Sequence, residues 1–162
     1  MPRKHLIATL MSLFLLIPAL ALAKDDIKFT STAEIEVQKV NAKGEKTVVR
    51  EPAVLLQPGQ IAIYTNSFTN VGPQSAEKVV VNNPIPANTE YLGGSATETG
   101  FDLVFSVDGG KNFGAPKELT MPDGKGGKRP AEPKEYTNIR WTMQAPLKPG
   151  ATGIVEFRVR VK

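Results

Sequence analysis

"LQPGQIAIYTNSFTNVGPQS", residues 56–75, contains a turn, a strand and a second turn in one run. Pro58 presets the first central angle of a type II turn and Gly59 accepts the positive φ of the second, so this pair is predicted to start a strand. The strand is predicted over residues 60–70, with a Gly- and Pro-containing turn after it. A short strand bounded by such turns is typical of all-β proteins.

Comparable short strands are predicted on both sides of this stretch. Residues 27–38 alternate Phe29, Ala33, Ile35 and Val37 with polar residues, a two-residue period that puts one face of a strand in a core. Further short strands are predicted at residues 47–49, 77–83, 89–97, 101–107, 138–143 and 153–161. No segment shows a sustained helical period, so the sequence predicts an all-β antiparallel sandwich of about seven strands.

The turn at Pro58 and Gly59 has a second copy, "LKPG" at residues 147–150, in which Pro149 and Gly150 start the last strand. The same local geometry is predicted there, because Pro and Gly occupy the same two central positions.

Between the two copies, Tyr64, Asn70 and Gly72 have a distinctive spacing. The order of these motifs, over about residues 35–162, resembles the bacterial conserved-repeat domain catalogued as domain of unknown function 11. The resemblance implies an immunoglobulin-like sandwich of the kind repeated in tandem in surface and envelope proteins. This chain departs from the family pattern in carrying a single copy, and in having Asn83 where an acidic residue is common.

The first residues, "MPRKHLIATLMSLFLLIPALALA", have the layout of a secretory signal peptide, with basic residues before an apolar run and an Ala-Leu-Ala exit. Cleavage is predicted between Ala23 and Lys24, which leaves residues 24–162 as a single domain. We expect this domain to be exported to the periplasm or the medium, with no membrane insertion after cleavage.

The composition of the mature domain excludes several kinds of site. Cys is absent and the single His, His5, belongs to the leader, so thiol redox chemistry, Ser-His-Asp or Cys-His catalysis and the usual zinc or copper ligation are excluded. Met121 and Met143 are too far apart in sequence for a copper patch. The formal charge of +4 falls to +2 without Arg3 and Lys4, which argues against nucleic-acid binding. No enzyme activity and no cofactor are expected.

"FSVDGGKNFG", residues 105–114, resembles the Asp-box of sialidase and glycosidase propellers. Because Asp-Gly between two alternating runs favours a hairpin, Asp108, Gly109 and Gly110 are predicted to form a structural turn. A Ca²⁺ site that uses Asp108 with Asp102 or Asp123 is the alternative, and a sugar-processing role is a further one.

Residues 121–135 are rich in Gly, Pro and charge, and the sequence predicts a mobile loop. Its Lys125, Lys128 and Arg129 are candidates for a basic recognition loop, although acidic neighbours favour a simple solvated connection. The large aromatic residues are assigned to the core in preference to a ligand platform. These residues are Tyr64, Phe68, Tyr91 and Trp141.

The first and last strands carry opposite charges on their outward positions. If these strands lie side by side, Glu34 and Glu36 face Arg158, Arg160 and Lys162. We expect this pairing to close the sheet within one chain, which predicts a monomer with weak self-association at most.

The function expected from all of these features is envelope structure or protein association, with other envelope or surface proteins as partners. The alternative is a carbohydrate- or calcium-binding module that uses the loops at one end of the sandwich.

Overall fold

The structure, a computed structural model, describes residues 26–162; the predicted leader and its cleavage site at Ala23 and Lys24 lie outside the described residues. Ten strands are present in this part of the chain: β1 (Ile27–Val40), β2 (Lys46–Pro52), β3 (Ile61–Asn70), β4 (Val80–Pro84), β5 (Thr89–Tyr91), β6 (Phe101–Ser106), β7 (Thr120–Pro122), β8 (Lys128–Pro130), β9 (Asn138–Met143) and β10 (Thr152–Val161). Two 3₁₀ helices of one turn, Pro116–Glu118 and Pro133–Glu135, flank the β7–β8 segment.

The strands form two main sheets and a short ribbon. The larger sheet has the order β2-β1-β3-β10-β5, the smaller one β4-β9-β6, and β7 pairs with β8. Neighbouring strands are antiparallel throughout. Consecutive strands from β3 to β6 alternate between the two main sheets, as in an antiparallel β-sandwich. The predicted all-β antiparallel sandwich is confirmed.

The hydrophobic core lies between the two main sheets. Trp141 of β9 and Phe157 of β10 meet across it with ring centroids 6.0 Å apart. The largest apolar side chains of this core are Phe68, Val81, Tyr91, Phe105, Leu119, Tyr136, Ile139, Trp141, Leu147, Val155, Phe157 and Val159. Three of the four aromatic residues assigned to the core are therefore buried, and Tyr64 is half-buried and stacked on Phe157 at 5.3 Å.

The prediction that β1 places one face in the core is wrong for part of the strand. Phe29 is 51% exposed, and Ala33, Ile35 and Val37 are only half-buried. For Phe29 and Ala33 the physical reason is the unequal width of the sheets, because three strands do not cover a sheet of five. Ile35 and Val37 lie beyond Glu34, where the pairing of β1 with β3 ends.

The prediction that the first and last strands lie side by side is also wrong. β3 lies between β1 and β10, and its Ile63 is paired with Glu34 on one side and Arg158 on the other. One of the predicted charge pairs nevertheless forms, since Arg158 donates to Glu36 at 2.8 Å. Arg160 instead lies 3.6 Å from Glu90 of β5, and Glu34 lies 4.0 Å from Arg50 of β2. Long side chains reach over the intervening strand, which is why the charge complementarity was visible in sequence although the adjacency was not.

Residues 121–135, for which the sequence predicted a mobile loop, contain regular secondary structure. They contain the β7–β8 ribbon, whose turn is held by Asp123: its Oδ1 accepts the main-chain N–H groups of Lys125 and Gly127 at 2.7 and 2.8 Å. Arg129 of β8 forms a two-pronged ion pair with Glu135 at 2.7 and 2.5 Å. Its guanidinium lowers the pKa of Glu135 to about 2. Arg129 is thus engaged within the chain.

The two Pro-Gly turns have the predicted local geometry. Gln60 N–H donates to Gln57 C=O at 3.1 Å around Pro58 and Gly59, and Gly59 has φ 88°. Around Pro149, Ala151 N–H donates to Lys148 C=O at 3.0 Å, and Gly150 has φ 74°. Each turn has Pro at its first central position and a positive φ at the second, as in a type II turn.

Candidate functional site: the hairpin arm and the notch at its base

β1 and β2 extend beyond the sandwich as a hairpin. The β1–β3 ladder ends at the pair Glu34 and Ile63, and the remaining part of β1 pairs only with β2. We call residues 35–51 the hairpin arm. At its tip the Asn41 side-chain oxygen accepts the main-chain N–H groups of Lys43 and Glu45 at 2.9 and 3.0 Å, which fixes the turn between the two strands.

The arm has free strand edges on both sides. The bond from Ala53 N–H to Ala33 C=O shows that odd-numbered residues of β1 direct their main-chain groups toward β2. The even-numbered residues Glu36, Gln38 and Val40 therefore face away from β2, past the end of the β1–β3 ladder. By the same alternation, Lys46, Val48 and Arg50 direct theirs to the outer edge of β2, where the described chain supplies no partner strand. Such an edge is a template for pairing with another chain.

A notch lies where the arm leaves the sandwich. It has a volume of about 350 Å³. Its lining residues are Ile35, Glu36, Val37, Gly59, Gln60, Ile61, Ile63 and Arg158. Ile63 at its floor is fully buried although it lies on the outer face of the larger sheet, away from the main core. The notch thus offers aliphatic walls beside the free edge of β1.

Four of the exposed large hydrophobic side chains lie on the arm or directly after it. Val40 and Val48 are 64% and 60% exposed, and Val54 and Leu55, which directly follow β2, are 90% and 84% exposed. Single exposed aliphatic residues are ordinary on protein surfaces, but a group on one projecting element marks a surface suited to contact.

Ion pairs fix the arm relative to the sandwich. Arg50 of β2 donates to both carboxylate oxygens of Glu156 in β10 at 2.5 and 3.0 Å, and Arg158 of β10 donates to Glu36 of β1. The Arg158 hydrogen bond lowers the pKa of Glu36. These groups are partly exposed, so each pair contributes little stability. These ion pairs instead fix the orientation of the arm relative to the sandwich, because they connect β1 and β2 to β10 over the intervening strand β3.

The predicted turn at residues 105–114 is a wider loop than a two-residue hairpin. Phe105 and Gly114 form a single bridge, and Gly109 and Gly110 have φ 76° and 82°. Asp108 Oδ1 accepts the Ser106 hydroxyl at 2.7 Å and the main-chain N–H groups of Lys111 and Asn112 at 3.1 and 2.9 Å. The Asn112 amide donates to Oδ2 at 2.7 Å. Asp108 is the centre of the loop, and both of its oxygens are occupied by the loop itself.

Asp108→Ala is expected to lower Tm by about 2 to 8 °C at neutral pH, as for the loss of a helix cap. Hydrogen bonds from Asn112, and then from Ser106, hold the pKa of Asp108 well below its usual range. A carboxyl with a lowered folded pKa stabilises fully above its usual pKa and loses this contribution as pH falls. The difference in Tm between wild type and variant should therefore narrow below about pH 4. Thermal unfolding across pH measures it, and a difference that widens in acid would contradict this role.

The three carboxylates considered for a Ca²⁺ site, Asp102, Asp108 and Asp123, do not form one. Asp102 accepts the Gln144 amide at 2.8 Å, Asp123 is engaged in the ribbon turn, and Asp108 in its own loop. Among residues 26–162, no three His, Cys, Asp or Glu side chains come together in a group able to hold a metal ion.

Comparisons with known protein families, with curated proteins and with solved structures found no match. Within the described residues, no helix is long and apolar enough to cross a membrane.

The arm was missed by reasoning from sequence. One signal was present: the alternation of residues 27–38 and the run at residues 47–49 flank a Gly-containing turn, which predicts a hairpin. The sequence pattern does not show where β3 begins relative to β1. Because the β1–β3 ladder ends at Glu34, the rest of β1 has no partner on that side and the end of the hairpin projects.

Proposed function

We propose that this chain is an exported, non-enzymatic domain that acts in cell-envelope structure or protein–protein association, and that the hairpin arm is its contact element. The observation that carries the proposal is the arm itself, a projecting pair of strands with unpaired edges and exposed valines at Val40 and Val48.

The physics of strand edges supports this proposal. An extended segment that adds to a free edge gains main-chain hydrogen bonds, and alternate side chains then give specificity. Natural proteins blunt exposed edges with charges, prolines or short strands. β2 carries Lys46 and Arg50 on its edge and ends in Pro52. Arg50 is paired with Glu156, so Lys46 is the edge charge that favours partners carrying negative charge.

Sequence features support the location and the absence of catalysis. The leader-like residues 1–23 support export, and the lack of His and Cys in residues 24–162 leaves few catalytic groups. The resemblance to the conserved-repeat domain of surface and envelope proteins supports a role in the envelope.

A photo-crosslinking residue placed at Val48 or Leu55 tests this function in living cells of the source organism. Discrete adducts with specific proteins, identified by mass spectrometry, are expected from both positions because they are exposed and lie on or beside the arm. The matched control is the same residue at Asn82, an exposed position on β4. Adducts of equal yield and pattern from Asn82, or none from the arm, would refute the assignment.

A further inference from the structure

A second free edge lies on the opposite sheet, beside a groove. β6 is an outer strand of the smaller sheet, and a cavity of about 420 Å³ runs along it. The residues that line this edge groove are Glu98, Phe101, Asp102, Leu103, Phe105 and Pro116.

The main chain of β6 is open at the centre of the edge groove. Gln144 N–H donates to Gly100 C=O. The main-chain N–H and C=O groups of even-numbered β6 residues therefore point toward β9, and those of odd-numbered residues point toward the groove. Phe105 uses its outward groups to bond Gly114 at 2.9 and 3.0 Å. Leu103, the next residue on that side, has no such partner in the described chain. A strand placed in the groove would continue the ladder that Gly114 begins.

The groove combines an apolar floor with acidic side chains. An adjoining cavity of about 270 Å³ shares Glu98, Phe105 and Pro116 with it and is floored by Tyr91 and Tyr136. Glu98 and Asp102 form no ion pair with the described residues. The groove is therefore complementary to an extended, partly aliphatic segment that carries positive charge.

The hairpin arm has these properties. Its β2 edge presents Val48 between Lys46 and Arg50, and Lys43 lies at the tip. Lys43 and Lys46 form no ion pair with residues 26–162, so both cations are available to a partner. The other edge of the smaller sheet, β4, is a poorer acceptor because it ends in Pro84, which has no N–H to donate.

We infer that the β2 edge of the arm in one copy of this chain pairs with the β6 edge groove of a second copy. The inference rests on the proposed function and names the partner of the arm. Donor and acceptor are different surfaces of the molecule, so the contact is head-to-tail and repeats into open chains of copies unless its rotation closes a ring. Association depends on concentration and weakens with salt, because exposed charges guide it.

Sedimentation of two charge-reversed variants tests the pairing. Lys43→Glu with Lys46→Glu reverses the arm, and Glu98→Lys with Asp102→Lys reverses the groove. Wild type should form oligomers that grow with concentration, and each variant alone should associate about tenfold more weakly. An equimolar mixture of the two variants should recover association, because each reversed surface then meets its complement. Thermal unfolding checks that both variants fold, and the single variant Glu98→Lys, at an exposed position, replaces the double groove variant if that one does not fold.

Two outcomes of the sedimentation experiment would overturn this inference. One is a wild type that stays monomeric at every concentration, and the other is a mixture that sediments like the separate variants. Adducts from Val48 to other proteins, with none to a second copy, would retain the proposed function and refute the pairing between copies. Absence of any specific adduct from the arm would refute the proposed function itself.

Discussion

Asn70→Ala is expected to lower the free energy of unfolding by about 2 to 4 kcal/mol. The Asn70 side chain is fully buried at the end of β3. Its amide donates to Gln74 C=O at 2.7 Å and to Leu147 C=O at 2.8 Å, and its oxygen accepts Gly72 N–H at 2.9 Å. Alanine leaves Gln74 C=O and Gly72 N–H without this partner, whereas Leu147 C=O still accepts the Ala76 N–H at 2.9 Å. Each buried unpaired group costs about 1 to 3 kcal/mol.

Chemical denaturation of wild type and variant measures this loss. The matched control is Asn82→Ala on β4, where the side chain is exposed and the expected change is within about 0.5 kcal/mol. Equal effects at the two positions would show that Asn70 does not connect the β3–β4 turn to the segment before β10.

Trp141→Ala is expected to destabilise the domain by about 3 to 5 kcal/mol. Trp141 is fully buried, packs on Phe157 across the core, and donates its indole N–H to Thr97 C=O at 2.9 Å. Removal of the ring deletes apolar contacts, opens a cavity and frees that carbonyl.

Trp141→Phe separates packing from hydrogen bonding. It keeps a large ring and loses only the indole donor, so a loss of about 1 to 3 kcal/mol is expected. The two variants are compared by denaturant unfolding with an unchanged m-value as the test of a comparable unfolded state. A Phe variant as unstable as the Ala variant would contradict the separation.

Local chemistry explains which parts of the fold could be predicted from the sequence. Asn70 and Gly72 stood out by their spacing, and the structure gives each a reason. Asn70 joins two turns, and a Cβ at residue 72 would lie 2.5 Å from Cγ of Asp26. The alternation of β10 likewise placed Val155, Phe157 and Val159 in the core. Hydrophobic alternation and turn chemistry act over a few residues, so strands that depend on them could be predicted from the sequence.

Properties that depend on partners distant in sequence did not follow. The pattern of β1 includes Phe29, but whether Phe29 is covered depends on the width of the opposite sheet. In residues 121–135, Asp123 and the Arg129–Glu135 ion pair organise a ribbon that composition alone describes as a loop. The arm and the edge groove exist because neighbouring strands end or turn away beside them. The hydrophobic pattern of a single strand does not show where its neighbours end.

The place of the last strand sets the order in which the molecule can fold. β10 lies in the middle of the larger sheet, between β3 and β5, so its two neighbours remain unpaired on that side until residues 152–161 have been synthesised. Pairing over such a sequence distance requires closure of a long loop, which slows folding. A growing chain therefore emerges from the ribosome without its central strand and cannot complete the sandwich.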